Sequence, residues 1–456
     1  MLYYNFNQKE TILLPRRADS PAITEILRNY TPGIEWSFVY TNDDCHIHIG
    51  AVASMEVQRG KEYAISVKTD GIAIGGQDYK GTIRGLLTLL ELVFCYGKHD
   101  YRVECTERAD QPRTAMRSLH VCFFPDFTVD QMRRVIRAAA VAKYSHIVLE
   151  FWGNLHFDCM KELSWPNANT KQRIRSLVRE ANALGMEVIP FYQHLGHAAM
   201  ARLSYSAKHV VLDQNLEYEY LYYPKSRGWV WNFRSEETKQ LLRCVRRELI
   251  ELCGEGEYFH LGCDEAGLEF DIDELSAYLN EVADELLTQG RRPIVWGDML
   301  LSHDFETLKT EGDQKSAYIC NASAQFADAL LDRLDKRIII ADWQYDTHDP
   351  IWKTSLLLKG RGFDVICAPW DDMINVPNAI ATVESAQLHG VMVTTWNRLF
   401  LQGSMVRVLF SGLCAYGDPD YAQLFGTVSE RTTNIWRRVS PRGLSYEDCG
   451  WSRDQV

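Results

Sequence analysis

Short apolar runs alternate with amphipathic, helix-like runs about eight times after residue 108 of this chain. Such alternation is typical of parallel βα units, because a crossover helix has to connect each strand to the next parallel strand. Eight units favour a closed (β/α)8 TIM barrel over an open sheet. The predicted strands cover residues 117–123, 146–151, 187–191, 258–262, 293–296, 337–343, 364–368 and 390–396.

Residues 1–108 follow a different pattern, which predicts a smaller α+β domain. Alternating runs at 45–49 and 62–67 precede a turn at Asp70-Gly71 and another apolar run, and this order indicates a β-hairpin. The stretch 82–94 is helix-like. A boundary near 109–112 therefore separates an accessory α+β domain, 1–108, from the barrel, 109–456.

Charge and composition exclude some kinds of partner. The formal net charge of −12 and the pI of about 5.6 argue against nucleic acid, since binding to a phosphate backbone needs a basic surface. No segment has the length of a transmembrane helix, and the first residues lack the pattern of an export signal, so we expect a cytoplasmic protein without a membrane partner. The twelve cysteines include no Cys-x-x-Cys pair, which favours buried reduced thiols over disulfides or a metal site.

Two adjacent carboxylates, Asp264 and Glu265, stand where the fourth predicted strand ends. An α/β barrel carries its reactive groups at the carboxyl-terminal ends of its strands. Neighbouring strand residues point to opposite faces, so the pair can serve one substrate only if the chain turns there and each carboxylate has a separate task. A helix that begins at Ala266 explains the pair equally well, because acidic residues are favoured in a first helical turn.

Tryptophans stand at or just after the ends of four predicted strands, at Trp296, Trp343, Trp370 and Trp396. In a closed barrel all four would converge on one mouth and line a pocket with flat apolar faces. Such faces suit the C–H side of a sugar ring, so we expect a carbohydrate substrate. The aromatic-rich stretch 195–234 follows the third strand and is expected on the same face, although its side chains can equally serve to pack the loop down.

Several motifs together resemble those of one enzyme family. The run from His260 to Glu265, HLGCDE, resembles the His-x-Gly-x-Asp-Glu signature of family 20 glycoside hydrolases, the β-N-acetylhexosaminidases. Residues 188–190 with Gly196-His197-Ala198 resemble the element after that family's third strand. Segments 62–65 and 81–90 resemble its usual N-terminal α+β domain. Each motif is weak alone, but together they extend over nearly the whole chain.

The resemblance implies a substrate-assisted reaction, which departs from the usual scheme of two flanking carboxylates. Glu265 is expected to protonate the glycosidic oxygen, while the substrate's own 2-acetamido oxygen attacks the anomeric carbon. Asp264 is expected to accept a hydrogen bond from the acetamido N–H and to stabilise the developing positive charge. Burial beside Asp264 is expected to keep Glu265 protonated.

The resemblance also implies roles for residues further from the acid. His197 is expected to support Glu265 through a carboxylate at the end of the second strand, where this sequence has Asn154 and, slightly further on, Asp158. Arg117, on the first strand, is expected to bind the sugar.

This sequence departs from the family pattern at two strand ends. The family's Tyr-x-Asp after the seventh strand aligns with Trp370-Asp371-Asp372, so the tyrosine that helps to hold the acetamido oxygen is missing there, while Asp372 is still placed to bind a sugar hydroxyl. The family's Trp-x-Glu after the eighth strand aligns with Trp396-Asn397-Arg398. Arg398 would favour an anionic substituent such as a sulfate on the sugar, whereas a loop shift would make it an ordinary surface residue.

We therefore expect a retaining exo-β-N-acetylhexosaminidase that releases terminal GlcNAc or GalNAc from a small glycan or glycoside, without metal or cofactor. One alternative is a non-catalytic carbohydrate-binding barrel, which Trp370 and Arg398 suggest and the intact Asp264–Glu265 pair opposes. A second alternative is a related glycosidase whose amino sugar is charged or otherwise modified.

Overall fold

The structure, a computed structural model, describes most of the chain. The described residues are 1–41, 45–50, 61–96, 100–124, 127–198, 216–226, 228–267, 270–305, 318–370, 372–396, 399, 402–417 and 425–441. Within them, an α+β part comes first in the chain and a closed barrel follows.

Among its described residues, the α+β part has two sheets and two α-helices. Its elements are β1 (Tyr3–Asn5), β2 (Lys9–Leu13), α1 (Pro21–Tyr30), β3 (Glu35–Val39), β4 (Ile47–Ile49), β5 (Tyr63–Lys68), β6 (Gly71–Gly76), α2 (Tyr79–Leu92), β7 (Phe94–Cys95), β8 (Tyr101–Glu104) and β9 (Thr106–Asp110). One sheet has the order β3-β2-β4-β6-β5-β9, and the smaller sheet has the order β1-β8-β7. The predicted hairpin is confirmed, because β5 pairs antiparallel with β6 up to the pair Lys68 and Gly71.

The α+β part passes directly into the barrel. Strand β9 still belongs to the first sheet, where it pairs with β5, so the transition falls between Asp110 and Met116. Polar contacts join the two parts: Lys143 Nζ donates to Tyr63 Oη at 3.0 Å, and Tyr79 Oη donates to the carbonyl of Ala183 at 2.6 Å. The division into independent domains at residue 108 stays a prediction.

The predicted parallel barrel is confirmed. Its strands are β10 (Met116–Phe123), β11 (His146–Phe151), β12 (Glu187–Phe191), β13 (Tyr258–His260), β14 (Arg292–Trp296), β15 (Ile339–Trp343), β16 (Asp364–Ala368) and β17 (Gly390–Val393). Each strand pairs in parallel with the next, and β17 closes against β10. The bounds of β11, β12 and β16 are those predicted from the sequence, and the other strands differ by one to three residues at an end.

Helices surround the barrel. They are α3 (Val129–Val141), α4 (Lys171–Ala183), α5 (Glu236–Cys253), α6 (Ile272–Thr288), α7 (Ala324–Arg333), α8 (Lys353–Gly360), α9 (Asn375–Ala386), α10 (Gln402–Tyr416) and α11 (Phe425–Arg438). Helix α3 begins with a capping box in which Thr128 and Gln131 satisfy each other's backbone N–H. No helix in the described part of the chain is long and apolar enough to cross a membrane.

Alternate strand residues face the inside of the barrel, and their character changes along its axis. Most form a closed apolar cluster: Met116, Val148, Ile189, Phe191, Tyr258, Ile294, Trp296, Ile339, Ala341, Ile366, Ala368 and Met392. Towards the carboxyl-terminal ends the buried side chains include His120, Glu150, Gln193 and His260. A layer of buried polar groups therefore lies directly below the barrel mouth.

Candidate active site

The Asp264–Glu265 pair lies in a loop at the barrel mouth. Helix α6 begins only at Ile272, with Asp271 as its N-cap, so the alternative that the pair starts a helix is wrong. Cys263 and Glu265 adopt positive φ angles of 76° and 44°, a backbone conformation that is costly for residues other than glycine. This backbone lets two consecutive carboxylates point to different places: the side chain of Asp264 is 8% exposed and that of Glu265 is 47% exposed.

His197 joins the two carboxylates. Its Nε2 lies 3.2 Å from Oδ2 of Asp264 and 3.2 Å from Oε2 of Glu265. The residue also has a positive φ, 56°, and its ring packs 4.4 Å from that of Trp229 and 6.3 Å from that of Trp152. The structure therefore brings together the three residues that the sequence assigned to catalysis.

These contacts determine the charge of the imidazole. Burial opposes a charged His197, but the neighbouring carboxylates, above all Asp264, raise its pKa to about 10. Burial likewise opposes ionisation of Asp264, yet the charge of His197 and nearby amides lower the pKa of this carboxyl below its usual range. At neutral pH the site therefore holds an imidazolium beside an ionised Asp264.

A third carboxylate, Asp298, organises the same loop and was not predicted. It follows β14, and its Oδ2 accepts hydrogen bonds from the backbone N–H of Glu265 at 2.9 Å and from Asn321 Nδ2 at 2.8 Å. Its Oδ1 accepts from Nε1 of Trp343 at 3.1 Å. Burial and the negative charge of Asp264 raise the pKa of Asp298 to about 6. The sequence offered a clue, because Asp298 comes just after the end of β14, and a barrel carries its reactive groups after the carboxyl-terminal ends of its strands.

Gln193, also not predicted, supports the loop from below. Its Oε1 accepts the N–H of Cys263 at 3.2 Å, and its Nε2 donates to Oε1 of Glu150 at 3.2 Å. The other oxygen of Glu150 lies 3.0 Å from Nε2 of His120. A buried polar network thus holds the backbone beside Asp264, while Oδ1 of Asp264 is buried without a hydrogen-bond partner in the described part of the chain. A buried acceptor in this state is costly unless a ligand supplies the missing donor.

Aromatic side chains form a cluster at the ends of the later strands, and Trp343 joins this cluster to Asp298. Trp343, Trp370 and Trp396 remain partly exposed, and the unpredicted Tyr345 packs between Trp343 at 5.1 Å and Trp370 at 5.4 Å. Trp396 donates its Nε1–H to Oη of Tyr345 at 2.9 Å. Trp296 differs from the prediction: it is 1% exposed and packs on His260 inside the barrel, so it forms the floor beneath the pocket and not a wall.

Arg117 does not reach the mouth, so the prediction that it binds the sugar is wrong. The residue lies at the amino-terminal end of β10, buried, and its guanidinium donates to the carbonyls of Lys143, Thr114 and Ala115. Its pKa is lowered by burial. The opposite end of β10 faces the site, and the inward residue there is Cys122.

The predicted partner of His197 at the end of the second strand is also corrected. Asn154 is buried and uses its amide to brace loops, donating to the carbonyls of Phe124 and Phe127 and accepting from Asn169. Asp158 is exposed and pairs with Lys171. Neither side chain contacts His197, which is held by Asp264 and Glu265 themselves.

The sugar-binding roles predicted for Asp372 and Arg398 both stay predictions. Asp372 accepts the backbone N–H groups of Ile374 and Asn375 through Oδ1, at 2.7 and 2.8 Å, and its Oδ2 lies 3.3 Å from His348. The carboxylate therefore caps the start of α9. Its role as a sugar ligand stays a prediction. Arg398 lies outside the described residues, so its role also stays a prediction.

The aromatic-rich stretch 195–234 does contact the site where it is described. Trp229 donates its Nε1–H to the carbonyl of Glu265 at 2.6 Å, which places this part of the stretch on the predicted face. Other described aromatic residues of the stretch pack in pairs, Tyr222 on Trp231 and Tyr223 on Phe233. Trp229 fits the expectation that the stretch lies on the face of the site. The stacked residues fit the expectation that its side chains pack the loop down.

Two clusters of possible metal ligands occur among the described residues. One consists of His197, Asp264 and Glu265, and the other of His120, Cys122 and Glu150; within each, the ligand atoms lie within 4.8 Å of one another. In the second cluster Oε2 of Glu150 is already shared by His120 and Cys122. The expectation that no metal is needed stays a prediction.

Gly196 controls how closely His197 approaches Asp264. A Cβ at residue 196 would lie 2.0 Å from the carbonyl oxygen of Asp264, so Gly196→Ala should push the His197 loop away from the carboxylates. Because misplacement by about 1 Å can cost ~100-fold in rate, we expect a fall in kcat/KM of about that size.

A glycine without neighbours provides the control for this substitution. Gly360, at the end of α8, has nothing within 4 Å of an added Cβ, so Gly360→Ala should leave activity unchanged. Steady-state kinetics and thermal melts of both variants check the prediction. Full activity in a folded Gly196→Ala variant would show that close packing at this point is not needed.

Comparison with known proteins identifies the family of this barrel. The family model of the glycosyl hydrolase family 20 catalytic domain matches residues 143–396, more than half of the chain. Similar solved structures include an exo-β-N-acetylglucosaminidase from Vibrio harveyi in complex with N-acetylglucosamine (TM-score 0.68, 14% identity, 94% of this chain and 74% of that one). They also include β-N-acetylhexosaminidases from Bacteroides fragilis (TM-score 0.64, 17% identity, 99% and 96%) and Streptomyces coelicolor A3(2) (0.65, 17%, 100% and 95%). At these identities the structures show a shared fold, and the family match shows that this chain belongs to glycosyl hydrolase family 20 and is a glycoside hydrolase.

Proposed function

We propose that the protein is a retaining exo-β-N-acetylhexosaminidase that uses the substrate's 2-acetamido group as its nucleophile. The observation that carries this proposal is the divergence of Asp264 and Glu265 around His197, with Oδ1 of Asp264 buried and unpartnered within the described residues. An acetamido N–H is the kind of donor that this buried acceptor lacks. Glu265 remains exposed enough to reach a glycosidic oxygen.

The proposed reaction assigns one task to each group. Glu265 gives its proton to the glycosidic oxygen as the bond from that oxygen to the anomeric carbon breaks. The acetamido oxygen forms a bond to the same carbon, and Asp264 accepts the N–H and stabilises the cationic ring that results. Water then opens this ring while Glu265 takes up the proton, so the anomeric configuration is retained.

The position of His197 supports the acid step. Its imidazolium lies 3.2 Å from Oε2 of Glu265, so it stabilises the carboxylate that remains after the proton has left. The expected burial of Glu265 is not present in the described structure, where its side chain is 47% exposed. A bound substrate would supply that desolvation by covering the loop.

Hydrolysis of 4-nitrophenyl β-N-acetylglucosaminide, with the matching β-glucoside as control, tests the proposal. We expect turnover of the acetamido sugar only, because the glucoside lacks the nucleophile, and strong inhibition by a thiazoline mimic of the cyclic intermediate. Binding of the sugar without turnover would instead support the non-catalytic alternative. Trapping of a sugar ester on an Asp or Glu side chain would contradict the acetamido mechanism.

We also propose that Tyr345 supplies the hydroxyl that is missing after the seventh strand. Its Oη is held by Trp396, and burial, with the nearby negative charge of Asp264, raises its pKa so that the phenol stays protonated. A protonated phenol within range of the charge of Asp264 could donate to the acetamido oxygen while Asp264 accepts from the acetamido N–H. The two groups together would orient the nucleophile towards the anomeric carbon.

The Tyr345→Phe variant tests this role. Loss of one hydrogen bond to a group that develops charge should lower kcat/KM by about 10- to 100-fold and weaken thiazoline binding by a similar factor. Tyr144→Phe removes a buried hydroxyl that donates to the carbonyl of Val408 outside the site and is the matched control. Equal effects of the two variants, or no effect of Tyr345→Phe on thiazoline affinity, would remove Tyr345 from this role.

Two expectations from the sequence remain proposals. A preference for a sulfated or otherwise anionic amino sugar depends on Arg398, and comparing plain with 6-sulfated aryl glycosides on the wild type and on Arg398→Ala tests it. A cytoplasmic location is the other, and fractionation of cells that express the protein tests it.

A further inference from the structure

Trp229 contacts both His197 and Glu265 with a single side chain. Its indole N–H donates to the backbone carbonyl of Glu265 at 2.6 Å. The centroid of its ring lies 4.4 Å from that of the His197 ring, and the two ring planes are tilted by 48°. The indole therefore joins the two groups that the proposed reaction uses for proton transfer.

The backbone around Trp229 is hydrogen-bonded to the loop that follows β12 and carries His197. The carbonyl of Trp229 accepts the N–H of Ala198 at 2.9 Å, and the N–H of Trp231 donates to the carbonyl of Leu195 at 3.0 Å. These bonds hold the two segments together as one unit. The position of the indole is therefore set by the backbone and does not depend on a bound substrate.

The ring contact favours the charged form of His197. A cation within about 6 Å of an indole centroid is attracted by the electron-rich face of the ring, and the attraction is stronger where water is excluded. The side chain of His197 is only 12% exposed, so water screens this contact little. The indole thus acts in the same direction as Asp264 and Glu265, whose carboxylates lie 3.2 Å from Nε2 of His197.

The indole N–H holds the acid through its main chain. Glu265 has a positive φ of 44°, a conformation that persists only where the surroundings hold it. Asp298 accepts the N–H of Glu265 at 2.9 Å, and Trp229 donates to its carbonyl. The backbone of the acid is therefore bonded on both sides, which limits where its carboxyl group can lie.

We propose, on the basis of the proposed function, that Trp229 is a positioning residue for the proton transfer. It holds Glu265 and the imidazolium of His197 at the separation that the acid step needs. The acetamido nucleophile is oriented by other groups, Asp264 and Tyr345. Loss of the indole should therefore weaken protonation of the leaving group and leave the binding of the cyclic intermediate nearly unchanged.

Trp229→Phe and Trp229→Leu separate the two contacts. Phenylalanine keeps a ring beside His197 but has no N–H for the carbonyl of Glu265, and leucine has neither. With a disaccharide of two N-acetylglucosamine units, we expect kcat/KM to fall by up to about tenfold in Trp229→Phe and by about 10- to 100-fold in Trp229→Leu, from the usual strengths of a hydrogen bond and a cation–π contact. The loss should fall on kcat.

Two further measurements show that the effect belongs to the acid. With a dinitrophenyl glycoside, whose leaving group needs little protonation, kcat/KM of both variants should stay within about threefold of the wild type. The affinity for the thiazoline mimic should also stay within about threefold, because this ligand has no leaving group to protonate.

Trp36→Phe is the matched control. Nε1 of Trp36 donates to Oγ1 of Thr31 at 2.9 Å in the α+β part, so this substitution removes an equivalent indole hydrogen bond away from the barrel mouth. It should change neither rate. Thermal melts establish that each variant is folded, and if Trp229→Leu does not fold, the ratio of the two rates in Trp229→Phe decides the test.

Equal losses on the disaccharide and the dinitrophenyl glycoside, or a loss of thiazoline affinity as large as the loss in kcat, would show that Trp229 supports the site as a whole and would overturn the inference. A rise in KM for the disaccharide with kcat unchanged would overturn it too, because Trp229 would then act by binding substrate. Both outcomes leave the proposed function standing. Failure of the wild type to turn over either substrate would overturn the proposed function, and the role of Trp229 would fall with it.

Discussion

Glu265→Gln should lower kcat for substrates with poor leaving groups by about 10²- to 10⁴-fold, the usual contribution of general acid catalysis. A glutamine has nearly the same shape but no proton to transfer, so the loss should be much smaller for aryl glycosides, whose leaving groups need little protonation. Steady-state kinetics on a disaccharide and on a dinitrophenyl glycoside measure both losses.

The control for this substitution is a glutamate outside the site. Glu251 lies on α5, is exposed and pairs with Arg175, so Glu251→Gln should change neither rate. Equal losses on activated and poor substrates in Glu265→Gln would mean that Glu265 is not the proton donor.

Asp264→Asn should lower kcat by about 10²- to 10³-fold, as the removal of one preorganised electrostatic contact to a transition state does. The asparagine keeps the side-chain volume but can present an N–H to the acetamido N–H, and it no longer stabilises positive charge. The loss should fall on kcat with the acetamido sugar, measured under substrate saturation.

The same substitution has a signature in the titration of His197. Asp264 is the main group that raises the pKa of His197 from 6.5 to about 10, so the pKa should fall towards its ordinary value in Asp264→Asn. In the wild type the folded state keeps this proton between about pH 7 and 10 while the unfolded state has lost it, so the free energy of unfolding should decrease as the pH rises through that range. The variant should lack this decrease.

Denaturant titrations at several pH values, together with NMR of the imidazole, measure both effects. The slope of stability against pH is the informative quantity, because removal of the buried Asp264 changes absolute stability for other reasons as well. Parallel slopes for the wild type and Asp264→Asn would show that Asp264 does not hold the charge on His197.

The sequence predicted the barrel because its evidence is local and repeated. Parallel strands buried on both faces appear as short apolar runs, and amphipathic helices with recognisable caps separate them, as Thr128 and Gln131 do for α3. Strand ends were less accurate where the chain turns towards the site. The strand predicted to end at Gly262 ends at His260, because Gly262 and Cys263 have positive φ angles that no regular strand adopts.

The wrong assignments have a shared cause, which is that order along the chain does not show which end of the barrel a side chain faces. Arg117 was placed at the mouth by its motif, but it is only the second residue of β10 and is held at the opposite end by carbonyl groups. Asn154 does follow the second strand, but its side-chain amide donates hydrogen bonds to the carbonyls of Phe124 and Phe127, which follow the first strand.

The sequence by itself determined the fold class, because strand and helix periodicity carry that information. The resemblance to the family's motifs indicated the Asp264–Glu265 pair with His197, and three of the four strand-end tryptophans, Trp343, Trp370 and Trp396, remain partly exposed at the strand ends. Only the tertiary structure decided which side chains complete the site. Asp298, Gln193 and Tyr345 act through contacts with residues 33 to 70 positions away, which no local pattern encodes. These residues become neighbours because strands that are far apart in the sequence lie side by side in the barrel. Buried carboxylates and amides then pair with one another, because a buried polar group without a hydrogen bond is costly.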